Sequence, residues 1–147
     1  MAGLNVTMIK LIKAKKNLVD MEYIYKLRNH QDVRKFSKNK SKILKKEHIK
    51  WYLNKKNKFI YIIKYRNKKI GYIRANNQAK PFLSWAIEPN HRGKDLGSIS
   101  LKKFLKKKNF KICFALIDEQ NIPSLLMAIK NNFKFKIKKK KFYYFSI

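Results

Sequence analysis

From Met8 to Ala14 apolar residues are interleaved with lysine, which predicts a first strand. Met1–Thr7, ahead of it, reads as a flexible start. The period then lengthens: Leu18, Met21, Tyr25 and Arg28 share one helical face, giving a helix that ends near Asn29. His30–Ser41 is polar and irregular. The helical period returns over Ile43–Lys55, where Leu44, His48, Trp51 and Lys55 form one stripe.

The second half is richer in strands. Phe59–Tyr65 and Ile70–Arg74 are dense in Ile and Tyr, with Arg66–Lys69 as a tight connection. Phe82–Ile87 predicts another strand after the turn-like Asn76–Pro81. Gly97–Lys107 predicts a helix with Leu101, Phe104 and Leu105 inward. The apolar run Phe110–Ile117 predicts a strand buried on both faces. Asn121–Asn131 predicts a helix with Pro123 in its first turn, where proline is tolerated. Phe133–Ile137 alternates as a strand, and Lys138–Lys141 separates it from a last one, Phe142–Ile147. The order is β-α-α-β-β-β-α-β-α-β-β. It predicts an α/β fold of the mixed α+β type: a mixed sheet of about seven strands with helices on both faces.

Composition bounds this picture without changing it. A chain of 147 residues, 45% hydrophobic, predicts a single domain over residues 1–147 with a real core. Apolar runs all fall short of the ~18 residues of a membrane span, and no leader pattern opens the chain. Cys113 stands alone in an apolar run, so a buried thiol and a reducing, cytoplasmic setting are expected. The net charge of +30 comes almost wholly from lysine, the arginines being Arg28, Arg34, Arg66, Arg74 and Arg92. Specific nucleic-acid sites lean on arginine and interleaved aromatics, so the excess reads first as a solvated coat, with no obligatory nucleic-acid partner. A basic nucleic-acid-binding module without catalysis stays open as the different-class alternative.

Chemistry concentrates in Ile87-Glu88-Pro89-Asn90-His91-Arg92-Gly93-Lys94-Asp95-Leu96-Gly97. A strand runs into a short basic loop with two glycines, and a helix follows at once, an arrangement that presents backbone N–H groups to an anion. An ordinary strand-to-helix turn needs neither Arg92 nor both Gly93 and Gly97.

This loop, with Asn121-Ile122-Pro123-Ser124 and Asn132-Phe133 further on, resembles the two motifs of the GCN5-related N-acetyltransferase superfamily, and the likeness covers essentially the whole chain. The resemblance implies acetyl-CoA as the acyl donor. It places Ala86 and Ile87 of the strand beside the pantetheine arm, and Arg92, Gly93, Lys94, Asp95, Leu96, Gly97 and Ser98 around the pyrophosphate. Asn121 and Ser124 join the cofactor set. Three positions depart from the family pattern: Asp95 and Asn132 stand where glycine is usual, and Ala128 stands where many relatives carry the tyrosine that protonates the leaving thiolate.

Arg28-Asn29, Glu47-His48-Ile49-Lys50-Trp51 and Ser84-Trp85-Ala86-Ile87-Glu88-Pro89 look like the branch that acetylates nucleotide-linked deoxyaminosugars, as in pseudaminic acid biosynthesis. That likeness implies a small amine acceptor walled by Arg28, Asn29, His48 and Trp51. His48 is then a candidate proton relay and Glu88 a candidate base, although a satisfied core histidine fits the stripe of Leu44 and Trp51 equally well. Protein N-termini and antibiotic amines remain alternative acceptors on the same fold. No residue pattern suggests a metal site, and a homodimer is left open.

Overall fold

The computed structural model describes residues 6–54 and 59–147. Lys55, assigned by its spacing to the second helical stripe, and Met1–Asn5 of the expected flexible start lie outside them. Val6–Met8 forms a single 3-10 turn.

Seven strands make one mixed sheet: β1 (Ile9–Lys13), β2 (Phe59–Tyr65), β3 (Lys68–Ala75), β4 (Phe82–Ile87), β5 (Phe114–Asp118), β6 (Lys134–Lys139) and β7 (Phe142–Ser146), in the spatial order β1-β2-β3-β4-β5-β7-β6. Every neighbouring pair is antiparallel except β4 and β5. The expected connection of four residues after β2 is shorter. Arg66 and Asn67 alone make it, both at positive φ (51° and 66°), as a two-residue hairpin turn of matching twist requires.

The parallel pair governs everything that follows. β4 and β5 are joined only at Phe82↔Phe114 and Leu83↔Ala115, while β3 follows β4 as far as Ile87 and β7 follows β5 as far as Asp118. Each strand is thus held by its outer neighbour, and the two splay apart beyond Leu83.

Among the described residues five helices flank the sheet: α1 (Leu18–Asn29), α2 (Gln31–Arg34), α3 (Lys45–Leu53), α4 (Leu96–Lys108) and α5 (Ile122–Lys130). Leu96, Leu101 and Phe104 of α4 and Met127 and Ala128 of α5 pack on Ile63, Ile70, Ile73, Leu83, Ile87, Ala115 and Ile117 in the larger core. On the opposite face Ile24 and Leu27 of α1 and Tyr52 of α3 meet Ile60, Ile62, Tyr72 and Ala86. Asn17 starts α1 by accepting the Asp20 N–H at 2.9 Å, and Asn121 does the same for Ser124 at the head of α5.

Two expectations are corrected. The segment read as irregular contains α2, a single turn whose N-cap is His30, with the imidazole Nδ1 accepting the Asp32 N–H. β5 begins at Phe114 rather than Phe110, because Asn109 adopts the left-handed conformation (φ 50°) that closes α4. Phe110 then turns back onto Phe104 and Phe59. Nor is β5 buried on both faces: Ala115 and Ile117 are core, whereas Phe114 and Leu116 are half-buried.

Candidate active site

A cavity of about 880 Å³ runs through the gap between the splayed strands. On one side it is closed by the loop after β4 and the heads of α4 and α5; on the other by Arg28, Trp51, Tyr72, Arg74 and the segment around α2.

Backbone alternation sets which groups of β4 face the gap. The Phe82 carbonyl accepts from Asn76 N–H, and Glu88 N–H donates to the Ile70 carbonyl at 2.7 Å, both toward β3. Odd positions therefore turn the other way. Pro81 shows it, its carbonyl accepting from Phe114 N–H of β5. Trp85 and Ile87 consequently aim their N–H groups into the opening, where β5 has already diverged. The Ile87 carbonyl is taken by Arg92, whose Nε donates to it at 2.9 Å. That bond folds the arginine back over the strand end, and partial burial draws its pKa below the usual guanidinium value.

The head of α4 lies at the mouth of the loop. The first backbone bond of the helix is Ile99 N–H to the Asp95 carbonyl, so the N–H groups of Leu96, Gly97 and Ser98 precede it and have no intrahelical acceptor. Gly93 sits at φ 74° with open space where a Cβ would stand, so its backbone conformation, not crowding, calls for glycine. Gly97 is the converse: a Cβ there would come within 2.6 Å of Met127 Sδ and 3.3 Å of Ile87 Cγ1. It lets α4 approach α5 and β4.

Asp95 occupies the left-handed region (φ 60°, ψ 6°) that a glycine enters without strain. Its side chain does not cap α4. It pairs with Lys130 of α5 at 2.5 Å, which turns the carboxylate toward a counter-ion. Lys94, assigned with the loop, is exposed and stands outside the cavity wall. Ala86, Ile87, Arg92, Gly93, Asp95, Leu96, Gly97, Ser98, Asn121 and Ser124 all line it. Ser124 also accepts from the Trp85 indole at 3.0 Å, tying α5 to β4 across the gap. Sequence reasoning passed over His91, whose Nδ1 is buried at the wall without a hydrogen-bond partner among the described residues.

On the far side the geometry separates the expected residues. Arg28 and Trp51 line the cavity, with the guanidinium carbon 3.8 Å from the indole centroid. Asn29 does not line it. Its amide brackets Ile43, accepting that residue's N–H at 2.7 Å and donating to its carbonyl at 2.9 Å. Arg34, donating to the carbonyls of Asn29 and Lys40, completes this tie on the segment between α2 and α3.

His48 is 1% exposed and off the cavity wall. Its Nε2 lies 2.8 Å from the Met21 carbonyl and its Nδ1 3.1 Å from Arg28 Nη1. A carbonyl requires a donor and a guanidinium requires an acceptor, so the ring is neutral with the proton on Nε2. Burial pushes its pKa down. This corrects the proton-relay expectation: no ring nitrogen is left for a substrate.

Glu88 is corrected likewise. It lies off the cavity wall and accepts a short bond from Tyr23 of α1, 2.5 Å from the phenol oxygen. Burial, then the bond to Glu88, holds the Tyr23 phenol well above its ordinary pKa. Ala128, in the position usual for the catalytic tyrosine, is fully buried in the core. Among the described residues no cluster of potential metal ligands is present, and no helix is long and apolar enough to cross a membrane.

The comparisons with known proteins agree with this architecture. The fold is shared with a domain from Methanocaldococcus jannaschii (24% identity, TM-score 0.82, covering 95% of this chain and 97% of that one). It is shared also with Campylobacter jejuni N-acetyltransferase PseH in complex with acetyl coenzyme A (21%, 0.68, 95% and 97%). Vibrio cholerae spermidine N-acetyltransferase in complex with CoA and spermine is a third (12%, 0.76, 96% and 95%). No protein of curated function matches the chain in sequence. The sequence model of the acetyltransferase (GNAT) family matches residues 21–133, which span the splayed strands, the loop and both helix heads. The chain belongs to that family, and is an acetyl-CoA-dependent N-acetyltransferase.

Proposed function

We propose that this enzyme acetylates the amino group of a small, nucleotide-linked deoxyaminosugar. The observation that carries the reading is the continuity of the cavity: it joins the helix-head anion site, through the gap between β4 and β5, to a wall of Trp51 and Arg28. An indole face suits a sugar or a base, and a guanidinium suits a phosphate. The likeness of Ser84–Pro89 and of Glu47–Trp51 to the aminosugar branch supports the same acceptor. The solved C. jejuni N-acetyltransferase PseH shares the fold.

The residues fit acetyl-CoA, which supplies the activated acyl group. The Leu96, Gly97 and Ser98 N–H groups, with Arg92, hold the pyrophosphate. Trp85 and Ile87 offer strand N–H groups to the arm, and Ile87 N–H is placed to polarise an acyl oxygen. His48 keeps Arg28 in position, and Glu88 fixes α1 against the end of β4 through Tyr23. With Ala128 in the core and neither His48 nor Glu88 open to the cavity, the chain's contribution is alignment and polarisation rather than a dedicated acid or base among these three.

Thiol release from acetyl-CoA against a panel of amines is the test. Release with nucleotide-linked aminosugars, and little with peptides, polyamines or antibiotics, is expected; release only with peptides would transfer the assignment to protein N-termini. Saturating acetyl-CoA should raise stability by about 2.7 kcal/mol at one hundred times its Kd. Arg92→Ala should remove most of that shift, and an unchanged response would show that the loop does not hold the cofactor.

A further inference from the structure

The acceptor side of the cavity carries more positive charge than the sequence motifs suggested. Arg74, on β3 opposite Ser84 of β4, lines the cavity with Arg28, and its guanidinium carbon is 5.3 Å from the same Trp51 ring. Tyr72 lies two residues earlier on the same face of β3, also lines the cavity, and interacts electrostatically with both arginines. Two half-buried guanidiniums therefore converge on one indole from different elements, α1 and β3. Like charges held this close raise each other's energy, and the indole faces offset that only in part.

The acidic groups nearby do not cancel the pair. Asp32 is engaged with Lys35 at 3.5 Å and acts on Arg92. The buried Asp118 accepts the Gln120 N–H at 2.8 Å and faces Lys141. Glu47, one turn before Trp51 on α3, brings a single exposed charge to the cavity edge.

We infer that Arg28 and Arg74, backed by Trp51, form a subsite for a phosphate or diphosphate group carried by the acceptor. The inference rests on the acetyl-transfer reading only for which side of the cavity is the acceptor's. A planar fork binds phosphate oxygens in pairs, and a dianion relieves the repulsion between the two guanidiniums. A polycationic acceptor would meet that repulsion instead. The pair thus sets specificity toward anionic amines and against polyamines.

The measurement is calorimetric titration of UDP, and separately inorganic pyrophosphate, into protein already saturated with CoA, so that the helix-head site is filled. Both probes should bind, UDP more tightly because its nucleoside adds contacts to the cavity wall that pyrophosphate lacks. Arg74→Gln should weaken UDP binding at least tenfold and Arg74→Lys by less, with CoA affinity held within twofold. Equal affinity for both probes would assign the subsite to bare phosphate. Arg74 is the residue to change first, since Arg28 also holds His48; the melting temperature of each variant reports its folding.

Absence of UDP and pyrophosphate binding to the CoA-saturated protein, or UDP binding unchanged by Arg74→Gln, would overturn the inference. In that event, thiol release with a nucleotide-linked aminosugar would leave the proposed activity standing and put the acceptor's phosphates elsewhere in the cavity. Conversely, failure of CoA itself to bind would count against the activity. UDP binding that depends on Arg74 would still be measurable in the protein alone.

Discussion

A helical stripe tells which side chains share a face but not how deep they sit, and His48 illustrates the difference. It stands on one stripe with Trp51, yet Trp51 reaches the cavity and His48 is sealed between Met21 and Arg28. Its environment has a measurable consequence. Desolvation outweighs the helpful Met21 carbonyl and lowers the imidazole pKa from its ordinary 6.5, with Arg28 adding to the decrease. The unfolded chain therefore takes up this proton more readily than the folded one. The stabilising contribution is complete above pH 6.5 and drains away as the pH falls through that value toward the lower folded one. Melting temperature should decline from pH 7 to pH 5, and His48→Gln should flatten that decline while costing about 1–3 kcal/mol at pH 7 from lost hydrogen bonds. A slope in the variant equal to that of the parent would show that His48 does not carry the decline. Arg28 and Trp51 were legible through the resemblance of their segments to the aminosugar branch, since the 3.6 period alone places both on the same stripes as apolar residues. Asn29 was not, because its role is a bracket on Ile43, fourteen residues away in the chain. Asp95 was legible as a conformational oddity, while its partner Lys130 depends on how α5 packs beside α4.

Whole elements came through the sequence better than their ends did. The strands around Phe59–Tyr65 and Phe82–Ile87 match their apolar runs, since a run that must be buried defines its own limits. β5 was read too long because Phe110, apolar but packed on Phe104 and Phe59, extends the run without joining the ladder. The short α2 was missed because one turn carries no period, only the His30 cap. Close approaches between elements were equally silent. Gly71 attracted no notice in sequence, yet a Cβ on it would stand 2.3 Å from the Ala86 carbonyl oxygen, in the backbone of the neighbouring strand. Gly97 meets only the far end of Met127 at its closest point. A strand backbone inside a ladder cannot move aside as a thioether can. Gly71→Ala should therefore cost about 3 kcal/mol or more and Gly97→Ala about 1–2 kcal/mol, read as shifts in the urea midpoint. Equal losses would mean that Met127 has no alternative rotamer. Loss of acetyl-CoA binding is expected to accompany Gly71→Ala, because Gly71 is paired with Ile87 at the strand end that borders the cavity.

At the scale of the molecule, the charge balance separates stability from recognition. The chain has 38 basic and 8 acidic residues, a net charge of +30. Seven of the eight acids are already engaged: Asp20, Glu22, Asp32, Asp95, Asp118 and Glu119 in ion pairs, and Glu88 with Tyr23. With 38 basic residues against 8 acidic ones, most lysines have no carboxylate to approach, so the folded chain carries a large uncompensated repulsion that the expanded chain relieves. Added salt screens that repulsion over distances of about 10 Å at 0.1 M, whereas the exposed ion pairs it also weakens contribute little each. Raising sodium chloride from about 20 mM to 300 mM should thus raise the melting temperature, where each 1 kcal/mol is worth roughly 2–8 °C for domains of this size range. The same screening acts against the cofactor, whose phosphates meet Arg92 and the head of α4 across solvent, so acetyl-CoA affinity should fall over the same interval. Opposite slopes, measured by thermal unfolding and by calorimetry in one salt series, would identify the lysine coat as a general field superposed on a specific site. A melting temperature that falls with salt would show instead that the few native ion pairs outweigh the repulsion. The coat would then have to be counted among the structural contacts.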